Sequence, residues 1–449
     1  MADSVADNDA WLVSQLGQQD SVDGRARTGA DRLSVTPGTL RDLVLAAGRP
    51  AGLRVSGLKV LGRLDLSYAE IKGPVVITDS EFIGDIDCNN ALFVSVELTD
   101  SSIPDLDCGG ARIEHDLVLV RIRANRVALQ DVHVGGNLLL SGARLAGRDG
   151  LALNADRARV AGSLFCGDRF IAAGEVRMLE ADVGGQLNVS GGRFVNPGND
   201  ALSADGIRVS ADVFCDNGFR AIGSVRLPGA TIGGLLNLTG GRFINPGGDA
   251  LSADQLRVTG SVFCQDGFRA IGEVRLLRAE IGGALSLIGG RFSNPGADAL
   301  SADQLRVAGG VFCRNGFHAI GCVRLLGADI GGSLNLTGGR FSNPGGIALS
   351  AEGAKVAGGV FCNGGFSATG GIRLHESTIG GQLSLTDGRF SNPGGVALSA
   401  NRASIGNLFF TKTSNETAGD CNLVGAHIGY LEHLPGAWQK FDKVQLLDL

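Results

Sequence analysis

The nonapeptide GGRFSNPGG stands at Gly338–Gly346, and close copies of it recur along the chain. Its phenylalanine is found at Phe194, Phe243, Phe292, Phe341 and Phe390, evenly spaced throughout. Cysteine keeps the same step at Cys166, Cys215, Cys264, Cys313 and Cys362, and arginine at Arg177, Arg226, Arg275, Arg324 and Arg373. A fixed period of this length, close to fifty, marks a repeat architecture rather than several independent globular domains. The chain reads as one solenoid.

The repeating unit is itself composite. Alternating apolar triplets begin at Val213 (VFC), Val225 (VRL), Leu236 (LNL), Leu251 (LSA) and Val262 (VFC again), with steps of 12, 11, 15 and 11. Between Leu64 and Leu138 the steps shorten to 10 or 11. Apolar residues at alternate positions over three or four residues are short strands with one face buried, and Gly, Asn, Asp and Ser between them make corners. Two triplets with their corners form one coil, of about 21 residues early and about 24 to 25 late, so each late repeat is two coils. The fold class is therefore all-β: a right-handed parallel β-helix of about 16 coils stacked at about 4.8 Å.

The 15-residue step contains Asn196, Asn245, Asn294, Asn343 and Asn392, each followed by Pro, and is read as an insertion of about four residues at one corner of every second coil. Proline presets φ and glycine accepts positive φ, so Asn-Pro-Gly is turn chemistry. Stacked, these corners make a ridge, which is a candidate binding edge as well as a closing turn.

The ends differ from the middle. Residues 1–35 are polar and acidic and read as a disordered tail. TPGTLRDLVLAAGRP, residues 36–50, carries helix signals: Thr36 as N-cap, Pro37 at the first position, Gly48 and Pro50 as stops. It reads as a helical lid with Leu40, Leu43, Val44 and Ala47 on one face. Residues 51–145 are the shorter coils, 146–411 the regular repeats, and 412–449 a last coil and cap holding Tyr430 and Trp438.

Composition narrows the function. No run of eighteen apolar residues exists, and the N-terminus lacks a charged start followed by an apolar core. Successive members of the cysteine ladder lie two coils apart, about 9.6 Å, whereas disulfide Cα atoms approach within about 7 Å. These cysteines are thus small buried hydrophobes, and only Cys88 and Cys108, one coil apart, are spaced to pair. Reduced cysteines point to a cytoplasmic protein.

The six histidines share no column, and Asp200, Asp249 and Asp298 give way to Ile347 and Val396 in later repeats. No metal site is expected. The glycine-rich runs lack nucleotide-loop spacing and lead into more strands, so no cofactor is expected either.

Asp156, Asp205, Asp254, Asp303 and Glu352 each precede Arg159, Arg208, Arg257, Arg306 or Lys355 by three positions. The expectation is neutralised pairs along an outer wall, with no basic stripe left unanswered. With a net charge of −6 over 449 residues no direct nucleic-acid binding is expected, while a pentapeptide-repeat-like DNA mimic protecting a topoisomerase is the leading alternative to a scaffold and an enzyme with its site in a β-helix groove the third reading. An enzyme needs a local break in the pattern. Cys322 beside His318 is the visible one, and repeat drift accounts for it. No small-molecule substrate is identified.

Small residues standing two before larger apolar ones (Ala328 and Ile330, Gly339 and Phe341, Ala143 and Leu145) resemble the alternation of pentapeptide-repeat proteins, whose coils are four-sided. The stretches TPGTLRDLVLAAGRPAGLRVSGLKVLGRLDLSYAEI, VRLLGADIGGSLNL and LEHLPGAWQKF resemble a set of actinobacterial repeat proteins that commonly carry the name membrane-associated oxidoreductase. That resemblance implies a solenoid. Its name implies redox chemistry, for which the residues offer no cofactor site, and membrane association. Relatives continue past the tryptophan segment into a membrane-proximal region, so this chain is expected in the cytoplasm or at the membrane periphery.

The residues favour a non-catalytic scaffold for a protein partner or for self-association. In the triplets the outer residues align, so Phe165, Phe214, Phe263, Phe312 and Phe361 form an outward column with Asn188, Asn237, Ser286, Asn335 and Ser384. Either the following corner folds back over this column or it is a docking face.

Overall fold

A computed structural model describes residues 4–48, 51–147, 149–411, 416–434 and 436–446. The expected stop at Pro50 lies outside these. The chain is an all-β parallel β-solenoid of about 18 turns, about 48% strand and 7% helix. It divides into two compact units: Met1–Phe214 with Phe219–Gly223, and Cys215–Gly218 with Ser224–Leu449.

In the first unit a coil runs through Arg112–Ile113, Leu117–Val118 and Arg123–Ala128, and the next begins at His133–Val134. The two ends of Arg123–Ala128 stand on different ladders, so each coil has four walls. On the first wall Ile113 stacks on Val134, Val160 and Val183; on the second Leu117 stacks on Leu138, Leu164 and Leu187. On the third Ala124 stacks on Leu145, Ala172 and Phe194; on the fourth Val127 stacks on Leu153, Val176 and Leu202. All of these are buried. A tube this narrow has a one-dimensional core in which each residue packs on its counterparts above and below.

In the second unit the coils alternate in length. The coil leading from Arg257 to its partner Glu280 is shorter than the one leading from Glu280 to Arg306. The difference is the Asn-Pro corner. Along Arg291–Ser301 the register jumps from Ser293 opposite Ile320 to Asp298 opposite Cys322, five steps against two. The surplus is pushed out of the ladder.

Phenylalanine fills the third-wall interior of both units. Phe170, Phe194 and Phe219 stack with ring centroids 5.3 Å apart in the first. Phe243, Phe268, Phe292, Phe317, Phe341, Phe366 and Phe390 stack at 5.1–5.6 Å in the second. Only alternate rings are in register: Ala270 and Ala319 lie opposite Phe292. Alanine there leaves room for Phe268 or Phe317, which swings in from the preceding corner.

Both ends are closed, and one differs from expectation. The segment read as a disordered tail is ordered from residue 4. The first helix, α1 (Val5–Leu16), starts with a Ser4–Asp7 capping box and buries Leu12 completely. Asn8 donates its Nδ2 to the Ser34 carbonyl at 3.1 Å. Val22–Asp23 then pairs with Val55–Ser56, and Leu33–Val35 with Leu58–Val60, so this segment supplies the first coil. Two- and three-residue strands among charged side chains leave no periodicity to read, so the spacing alone undercounts the coils. The next helix, α2 (Arg25–Thr28), is a single short turn. The expected lid is α3 (Pro37–Ala46), capped by Thr36 and burying Leu40 and Val44. At the other end Trp438 sits 4.5 Å from Phe410, and Phe441 sits 6.3 Å from Phe390, ending the stack.

Candidate functional site

Repetition spreads the candidate features along walls, so each is described in the unit that holds it. The outward phenylalanine column is formed as its spacing predicts. In the second unit Asn237 lies opposite Phe263, then come Ser286, Phe312, Asn335, Phe361 and Ser384. In the first, Phe165 lies opposite Asn188, and Asn188 opposite Phe214. All five phenylalanines are half-buried. A Cβ on Gly310 would lie 3.0 Å from Cζ of Phe312, and one on Gly359 equally close to Phe361. These rings therefore lean back along their own strand. Arg314 lies over the Phe312 ring at 5.5 Å. The corner phenylalanines Phe268 and Phe317 turn inward instead and are fully buried.

The Asn-Pro corners are self-contained loops. Asn196, Asn245, Asn294 and Asn343 each donate Nδ2 to the carbonyl four positions on, at 2.8–3.0 Å, and Asn392 does the same to Val396. The loop tip needs Gly296 at φ +78°. Beneath the loop Gly321 has φ +112°, and a Cβ there would meet the Asn294 carbonyl at 2.5 Å. The candidate ridge residues thus spend their side chains on closing the loop, while Pro246, Pro295 and Pro344 are its exposed points.

Between these loops lie carboxylates. Asp249 and Glu273 are in register on the fourth wall, and Arg275 reaches Asp254 at 2.7 Å, Asp249 at 3.6 Å and Glu273 at 4.0 Å. Burial raises the carboxyls of both Asp249 and Glu273 above their usual range. The negative charge of Asp254 adds to this at Asp249, and that of Asp249 at Glu273. Arg324 holds Asp298 at 3.0 Å and also pairs with Asp303. Asp249 and Asp298, which invite a calcium reading, are engaged by arginine.

The charge columns correct two expectations. Asp254 pairs with Arg275 of the next coil, not with Arg257 three positions on, and Asp156 likewise pairs with Arg177. Arg257 and Arg306 both meet Glu280, at 3.4 and 3.1 Å. The first wall is therefore zippered by register: Arg257, Glu280, Arg306, Asp329 and Lys355 alternate in sign. The third wall is not. Arg242, Arg269, Arg291, His318 and Arg340 stand opposite one another in sequence, with no carboxylate among them. A basic stripe is left unanswered after all. Its members follow one another at alternately long and short intervals along the chain, so no single period reveals it.

Cys322 and His318 fall on different ladders, opposite Asp298 on the fourth wall and Arg291 on the third. Burial pushes the Cys322 thiol up to about 12, so it stays protonated at neutral pH. Burial, and then the charges of Arg340 and Arg291, hold His318 below its usual range. The ladder cysteines are free and buried, as are Cys88 and Cys108. A hydrogen bond with Cys108, then burial, raise the Cys88 thiol well above its ordinary value.

Among the described residues no helix is long and apolar enough to cross a membrane. No protein-family model, curated protein or solved structure matches the chain.

Proposed function

We propose that this chain is a non-catalytic scaffold whose second wall docks a protein partner along the Phe263–Phe312–Phe361 column. The observation that carries the reading is the column itself. Half-buried phenylalanines recur on every second coil, separated by Asn or Ser, on a wall made of short regular strands. Monomeric proteins seldom expose a long apolar stripe, and aromatic residues with polar neighbours are what interface cores are built from. Against a DNA mimic stands the alternation of sign on the first wall, since a mimic needs a sustained negative face. Against catalysis stands the protonated, separated Cys322.

Replacing Phe263 and Phe312 together with Ser tests the proposal. The expected variant stays folded by circular dichroism and loses the partner, in capture from the native host compared side by side with wild type. If a second copy is the partner, sedimentation shows the loss instead. A variant that melts earlier yet keeps its associations would show that the rings serve only the fold.

A further inference from the structure

The third wall of the second unit carries a basic side chain on each of five coils, four arginines (Arg242, Arg269, Arg291 and Arg340) and His318 between the last two. The four arginines are exposed, and none of them makes an ion pair among the described residues. His318 in their midst is held toward its neutral form by burial and by Arg340 and Arg291. Like charges directly opposite on a ladder destabilise it. The first wall avoids this cost by alternating sign, and the third wall of the same coils does not. A sequence that solves a problem on one face and leaves it on another has a reason to keep the unsolved face, and a ligand for it is such a reason.

Two further features describe that ligand. Two positions along from each basic residue runs a half-buried column of Ile244, Ile271, Ser293, Ile320 and Ser342. Just beyond it, on every second coil, the Asn-Pro loops leave the wall and expose Pro246, Pro295 and Pro344. The wall thus presents a charged row, a mixed apolar row and a rail, all running from coil to coil.

We propose that this wall binds an α-helix of a protein partner, laid along the stack, with one carboxylate per turn facing the arginines and small apolar residues facing the isoleucines. The spacing carries the choice. The basic side chains recur at the coil step of about 4.8 Å, and a helix presents same-face side chains at i, i+3/i+4, one turn of about 5.4 Å. Over the four steps from Arg242 to Arg340 the column spans about 19 Å and four helical turns about 22 Å. Centred, the mismatch is roughly 1 to 2 Å at each end, within the reach of an arginine side chain. An extended peptide repeats its faces at about 6.8 Å and falls out of step within three coils. A single nucleic-acid strand gains affinity from bases stacking on aromatic side chains, and the phenylalanines beneath this wall are buried.

This inference rests on the scaffold reading but uses a different wall from the phenylalanine column, so either can fail alone. The probe is a synthetic helical peptide of about 18 residues, about 27 Å long, with glutamates one per turn in a stripe and alanines in the adjoining stripe. Its control has the same composition with the glutamates spread round the helix. The striped peptide is expected to bind the full chain at least about tenfold more tightly than the control at physiological ionic strength. Arg269→Gln with Arg291→Gln should abolish that preference, and Arg257→Gln with Arg306→Gln on the zippered wall should leave it intact. Both doubles are checked for unchanged circular dichroism, and the Phe263→Ser, Phe312→Ser variant should still bind the peptide. Equal binding of the two peptides, equal binding of an oligothymidylate of the same charge, no binding, or indifference to the Arg269/Arg291 change each overturns the proposal.

Discussion

Replacing Phe292 with Ala should destabilise the second unit by about 3–5 kcal/mol, towards the upper end of that range. The ring is 1% exposed and lies 5.1 Å from Phe268 and 5.5 Å from Phe317. What decides the magnitude is how well the gap can close. The residues in register above and below are already alanines, Ala270 and Ala319, so no side chain stands ready to fill it. Backbone hydrogen bonds fix the coil spacing, and the walls cannot collapse inward. Phe292→Leu keeps most of the volume and should cost no more than about 1.5 kcal/mol. Because each coil contacts only its neighbours, the loss is local, and amide hydrogen exchange along Arg291–Ser301 reads it best. Protection factors there should fall by at least about a hundredfold in the alanine variant, a free energy of about 2.7 kcal/mol. A drop of less than tenfold, or an equal drop for leucine and alanine, would refute the account of the stack.

Burial holds the thiols of Cys264 and Cys362 up at about 12, so a thiol reagent at mildly alkaline pH should label them only as the chain unfolds; rapid labelling of native protein would contradict their burial. In the first unit the carboxyls of Asp79, Asp100 and Asp131 are held below the usual range by Arg25, Arg121 and Arg157 respectively. Their stabilisation is present above the ordinary carboxylate pKa and is lost as pH falls through the lowered values, which acid titration of the melting temperature would follow. For Asp249 and Glu273 the sign reverses: stability is greatest below the ordinary range and falls as pH rises through the raised values. Glu273→Gln should therefore raise the melting temperature at neutral pH and leave it unchanged in acid below the carboxylate range, a pattern that thermal melts across pH would expose as wrong if the gain were equal at both.

The repeat was legible because residues on equivalent coils must be alike when they stack, so Phe292 and Phe341 or Cys264 and Cys313 recur at one interval. What stacks on the coil immediately next was harder to read. Neighbouring coils differ in length, and partners such as Asp254 and Arg275 share no period with Arg269 and Arg291. The role of Asn294 was hidden for another reason. A side chain that closes its own loop looks, in sequence, the same as one offered to a ligand. The first coil was missed because Val22–Asp23 and Leu33–Val35 are too short to show alternation, and what identifies them is the strand each one meets.

The alternation of ring and methyl along the phenylalanine stack also limits how such a chain can lengthen or shorten. Losing the coil of Phe268 and Ala270 from the second unit would set Phe243 directly against Phe292, with no alanine between them. Losing two restores the sequence of sizes, and the Asn294 loop inherits the place of the Asn245 loop. Growth and loss are thus confined to whole repeats. In the second unit the smallest heritable piece is the pair of turns, and its length can vary among descendants only as a ruler does, by whole divisions.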